Sequence, residues 1–119
     1  MSTRKEKFTK LIKEELSWIF IKKIQDPLFN FITITRVKIT PDLKQAYVYL
    51  SIYDKTKREK LLDKITEIKG LIRTEFAHRN RRLRFIPEFV YFIDETVDHV
   101  EKIETLLKQI HENDNKNET

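Results

Sequence analysis

The chain has 119 residues, 39% of them hydrophobic and 36% charged, with one glycine, no cysteine and a net charge of +5. That is enough apolar material for one core, with no composition break between two domains. The missing thiols exclude a disulfide scaffold and a thiolate metal site and fit a reducing compartment. No apolar run approaches the roughly 18 residues of a membrane span, so a cytoplasmic protein without a membrane partner is expected.

The N-terminal segment MSTRKEKFTKLIKEEL carries acids and lysines where a signal peptide needs an apolar stretch. Thr3 and Glu6 have the spacing of a capping box. Phe8, Leu11, Ile12, Leu16, Ile19 and Ile24 then continue a helical stripe to about Lys23. Asp26-Pro27 stops it, because the residue before a proline is pushed out of the helical region and proline donates no backbone hydrogen bond. Trp18 and Phe20 lie off the main stripe and are expected to widen the buried face. The segment FITITRVKI (31–39), the turn residues Thr40-Pro41-Asp42 and the segment KQAYVYLSIY (44–53) predict a β-hairpin. Ala46, Val48, Leu50 and Ile52 share one face of the second strand, and Tyr47, Tyr49 and Tyr53 the other. In the first strand the parity of Ile32 and Ile34 passes to Val37 and Ile39, which predicts a bulge near Thr35 and Arg36.

The segment LLDKITEIKGLIRTEFAHRNRRLR (61–84) joins the strongest helical stripe to the densest positive charge. Leu61, Ile65, Ile68, Ile72 and Phe76 recur at spacings of three and four. Gly70 falls within that run. Glycine in a helix costs about 1 kcal/mol relative to alanine, so a bend at Ile68, Lys69 and Gly70 that splits the helix in two is expected. A third strand is expected over 83–93, with Pro87 marking an edge position or a bulge. Asp94 or Thr96 can cap a last helix with Val100, Ile103, Leu106, Leu107 and Ile110 on one face, before a polar tail at 113–119. The expected unit is one domain over 1–112 in the order α-β-β-α-β-α. Its three-stranded mixed sheet has the third strand parallel to the second and helices on one face.

Charge and chemistry narrow the function. Residues 94–119 hold eight acids against three lysines, leaving twenty-one cations against eleven acids in 1–93. A basic body with an acidic end points to a polyanion, nucleic acid ahead of membrane, or else to a solvating surface. His78, His99 and His111 are scattered, a single glycine cannot build a phosphate loop, and no Ser or Cys sits in a nucleophile motif. No metal, cofactor, small-molecule substrate or enzymatic activity is therefore expected. Arg73, Arg79, Arg81, Arg82 and Arg84 put five guanidiniums around a helix end, suited to bidentate phosphate contact and base stacking. They are the candidate RNA contacts, with Lys22 and Lys23 in support. Tyr47, Tyr49 and Tyr53 are either a stacking platform for unpaired bases or cross-strand packing under the N- or C-terminal helix.

The run DPLFNFITITRVKITPDLKQAYVYLS, the IKG within the long helix, HRNRRLRFIPEFVYFIDET and KIETLLKQI resemble the ribosome-binding factor A family across nearly the whole folded chain. The resemblance implies an α+β fold of the bacterial KH-like type (type II), α-β-β-α-α-β with an extra C-terminal helix. It also implies an Ala-x-Gly kink between the two central helices in place of the usual RNA-binding glycine loop. Ile68 stands here where the family carries alanine. The implied role is maturation of the small ribosomal subunit by a factor that binds the subunit and its precursor rRNA, assists late processing and supports growth in the cold. A monomer is expected. The alternative is a basic-surfaced protein–protein interaction module without direct RNA contact.

Overall fold

The computed structural model describes residues 3–96, 106–108 and 110. Helix α1 runs Arg4–Lys22 and opens on the expected capping box: Thr3 Oγ1 accepts from the Glu6 amide while Glu6 accepts from the Thr3 amide. Asp26 then caps a short 3₁₀ turn, Pro27–Phe31, by accepting from the Leu28 amide. Strands β1 (Ile32–Ile39) and β2 (Gln45–Ile52) form the antiparallel hairpin, with the bulge between Ile34 and Arg36. Helix α2 spans Arg58–Arg79, and β3 spans Glu88–Ile93. The sheet order is β1-β2-β3, with β3 on an edge and parallel to β2.

Alternation in β2 decides which face is covered. Ala46, Val48, Leu50 and Ile52 are buried, together with Ile34 and Ile39 of β1, Ile12, Leu16, Ile19 and Phe20 of α1, and Leu61, Ile65, Ile72 and Phe76 of α2. Phe20 is thus part of the core, as expected, and Trp18 packs against it while keeping one side at the surface. The opposite sheet face carries Arg36, Lys38, Tyr47, Tyr49 and Phe92. Asp94, just past β3, reaches over this face to accept from Thr35 Oγ1 at 2.5 Å, with Arg36 Nε 4.0 Å away. That hydroxyl and the hydrogen bonds from Thr96, with a smaller contribution from Arg36, hold the Asp94 carboxyl below the usual carboxylate range.

Two expectations about local structure are corrected. Helix α2 is one uninterrupted helix of 22 residues and is not divided at Ile68, Lys69 and Gly70. Gly70 lies two residues from both Ile68 and Ile72, and at about 100° per residue it points away from the buried stripe. It is exposed, and a Cβ placed there would meet nothing within 4 Å. Neither close packing nor a break explains it. The third strand begins at Glu88 and not near Leu83, because Pro87 donates no hydrogen bond and the carbonyls of Ile86 and Pro87 are taken by a side chain of α2. Most of the expected last helix and all of the expected tail at 113–119 lie outside the described residues.

Candidate nucleic-acid interface

The end of α2 fixes the arginine cluster. Asn80 closes the helix, donating its Nδ2 to the Phe76 carbonyl at 2.9 Å and accepting from the Leu83 amide at 3.1 Å. At the far end of the following segment, Arg73 donates its two guanidinium NH2 groups to the carbonyls of Pro87 (2.8 Å) and Ile86 (2.7 Å). The segment 81–85 is therefore pinned at both ends before β3 begins.

This geometry divides the predicted contacts. Arg73 is committed to the backbone of its own chain. Arg79 donates from Nε to Glu15 of α1 at 2.5 Å and lays its guanidinium over Trp18, 3.6 Å from the ring centroid. Lys23 approaches the same ring at 5.9 Å, so Trp18 gathers two cations at the junction of α1 and α2. Arg81, Arg82 and Arg84 are exposed and, among the described residues, have no hydrogen-bond or ion-pair partner. Lys22, in the last turn of α1, is exposed and takes no part in these contacts.

The exposed arginines front three grooves. Arg81 and Arg82 share one with His78 and Leu11, and Arg81 lines a second with Arg73 and Ile86. Arg84 lines the third with Arg4 and Lys5 at the start of α1. Arg4 and Lys5 were not among the predicted contacts, although one signal was available. Arg4 stands four residues before Phe8, so it extends the buried stripe of α1 with a cation and turns toward whatever packs beside Phe8.

The tyrosines do not form a three-ring platform. Tyr49 lies between Arg36, 4.1 Å from its centroid, and Phe92, stacked at 5.5 Å, while Tyr47 meets Phe92 edge-on at 5.7 Å. These two rings pack across the strands, but on the face opposite α1, so the N-terminal helix of the alternative expectation does not cover them. Tyr53 lies past the end of β2, 93% exposed. Among the described residues no group of three His, Cys, Asp or Glu side chains is placed to hold a metal, and no helix is long and apolar enough to cross a membrane.

The model of the family described as ribosome-binding factor A matches residues 4–107. The chain belongs to the ribosome-binding factor A family. Proteins of that name from Thermodesulfovibrio yellowstonii and Brevibacillus brevis are 37% and 38% identical over 107 and 109 residues. The alignments cover 90% and 91% of this chain and 90% and 89% of those proteins. The crystal structure of ribosome-binding factor A from Thermus thermophilus superposes with a TM-score of 0.67 at 20% identity, covering 76% of this chain and 97% of that one. A Thermotoga maritima protein solved by NMR as a putative ribosome-binding factor A gives 0.64 at 27% identity, over 77% and 88%. A further match, at 0.61 and 20% identity over 73% and 91%, is a homology model of the Thermus thermophilus factor fitted into a cryo-EM map of its 30S complex. The three-stranded mixed sheet of this chain is the KH-like α+β fold of those ribosome-binding factor A structures.

Proposed function

We propose that this protein binds the small ribosomal subunit and its precursor rRNA through Arg81, Arg82 and Arg84, with Lys22 and Lys23 in support. It assists late maturation and rRNA processing as a cytoplasmic, non-enzymatic monomer and supports growth in the cold. The observation that carries this is the set of three exposed guanidiniums with no partner among the described residues, on a segment tied down at both ends, in a chain of the ribosome-binding factor A family. A ribosome-binding factor A fitted into a 30S complex supports the choice of partner. Arginines on a backbone already tied down meet phosphates with only their own side chains left to order.

The test is binding of the purified chain to small subunits over a series of salt concentrations. If each of the three arginines neutralises one phosphate, replacing all three with Gln should weaken binding and flatten the log-log salt slope by about 2, at about 0.7 per contact with single-stranded RNA. The circular dichroism spectrum should not change. A folded triple variant with the parental affinity and slope would move the RNA site elsewhere, and salt-insensitive binding by the parent would favour the protein–protein module.

A further inference from the structure

The groove that Arg84 shares with α1 has a chemistry that phosphate contact alone does not use. It encloses about 470 Å³, within the range of small-ligand clefts. Arg4, Lys5 and Arg84 line it with Phe8, Leu43 and Phe85, and no carboxylate is among the lining residues. Phe8 packs against the core, whereas Phe85 is 54% exposed and Leu43 39%. The hairpin turn holds Leu43 out at a φ of 61°, which side-chain-bearing residues seldom adopt, and the Leu43 amide donates to the Thr40 carbonyl at 2.9 Å. Asp42, the acid of that turn, is exposed and does not line the groove; its carboxylate is taken up within the turn, accepting from Thr40 Oγ1 at 2.6 Å and the Lys44 amide at 3.0 Å. Arg4 and Lys5 lie in the first turn of α1, where cations oppose the helix dipole, so they do not serve the helix that carries them.

An aromatic ring and an aliphatic side chain at the surface, ringed by three cations and free of acids, match one class of occupant. We infer that this groove seats an unpaired base of single-stranded RNA. Phe85 stacks on the base, Leu43 closes its edge, and Arg84, Arg4 and Lys5 meet the flanking phosphates. This rests on the RNA-binding function proposed above and extends it along the chain from Arg81 and Arg82, adding a seat that selects single strands over duplex.

The experiment uses the full chain and fluorescence anisotropy. The probes are a labelled single-stranded oligoadenylate of about ten nucleotides, within the site sizes of single-strand binders, and an abasic phosphodiester strand of the same length. Base stacking on an aromatic side chain is worth about fivefold to a hundredfold in affinity, so the parent should bind the oligoadenylate at least about fivefold tighter than the abasic strand. Phe85→Ala should erase that preference and leave the salt slope unchanged, while Phe85→Trp should keep it, and circular dichroism should show both variants folded. Equal binding of the two strands by the parent, binding of neither, or an undiminished preference in Phe85→Ala overturns the base seat. An acidic, leucine-rich peptide that binds the parent and is lost in Phe85→Ala, with RNA binding untouched, overturns it in favour of a peptide groove. If Phe85→Ala and its parent bind small subunits alike while the triple arginine variant does not, the base seat fails and the proposed function stands. If the parent does not bind small subunits, the proposed function itself fails.

Discussion

Arg73 separates a frame residue from an RNA contact. Its guanidinium spans the carbonyls of Ile86 and Pro87, the last two residues before β3, at 2.7 and 2.8 Å. Arg73→Met keeps the aliphatic stem and removes the fork. Hydrogen bonds to a charged group contribute about 1.5–3 kcal/mol each when shielded from water. The bond to Ile86 is exposed and the bond to Pro87 only partly buried, so about 2 kcal/mol for the pair is the expected loss after screening. At about 2.1 cal/mol/K of unfolding entropy per residue, a loss of 1 kcal/mol lowers the melting midpoint of a chain this long by roughly 4 °C, so Arg73→Met should melt about 8 °C below the parent. Arg73→Lys, whose ammonium reaches one carbonyl well but not both in plane, should lose about half as much. Melts followed by circular dichroism measure this, and small-subunit binding below the transition supplies the second axis, on which the salt slope should not move. If Arg73→Met melted with the parent and flattened the slope by about 0.7, Arg73 would be a phosphate contact and the clamp incidental.

Gly70→Ala should stabilise the protein by about 1 kcal/mol, because the site is helical and exposed with open space where the methyl group would lie. A chemical denaturation midpoint that fell would show that α2 needs its glycine. Asp94→Asn should lower the melting midpoint at neutral pH, since the carboxylate accepts from Thr35 and has Arg36 beside it. The Asp94 pKa is lowered in the folded state, so its stabilisation is present above the unfolded value near 4 and lost as pH falls through the folded one. Parent and variant midpoints should therefore converge on acidification below about pH 4, and a gap that persisted there would assign the effect to shape and not to charge.

How much of this was legible in the sequence follows from how far apart the interacting groups lie in the chain. The capping box at Thr3 and Glu6, the stop at Asp26-Pro27, the alternation of β2 and the bulge at Thr35 are decided by groups a few residues apart, and all are found where expected. The unbroken α2 was also within reach, because the angular position of Gly70 relative to Ile68 and Ile72 is simple helix arithmetic. A family kink was expected at a position where, in this chain, the glycine faces solvent. The division of the arginines was out of reach. Glu15 is 64 residues from Arg79, and the carbonyls that Arg73 holds are 13 and 14 residues away. Only the folded chain brings Arg4 and Lys5 beside Arg84.

The two arginines held by contacts within the chain, the inner pair, are the ones lysine could not replace. One spans two neighbouring carbonyls with its NH2 groups, and the other lays a flat cation on Trp18 while its Nε holds Glu15. Both need the planar fork of guanidinium. What they fix is the segment between them and β3, which carries Arg81, Arg82 and Arg84. The cluster therefore works at two levels, with the inner pair ordering the backbone during folding and the outer three meeting a polyanion already at their spacing. A segment ordered in the fold does not lose that freedom again on binding. Substituting an inner arginine should thus lower stability first and affinity only through it, whereas substituting an outer one should lower affinity and its salt dependence at constant stability. A scan of all five, with melting midpoint plotted against salt slope, should place Arg73 and Arg79 on one axis and Arg81, Arg82 and Arg84 on the other. A scatter along the diagonal would mean that folding and recognition are not divided among them in this way.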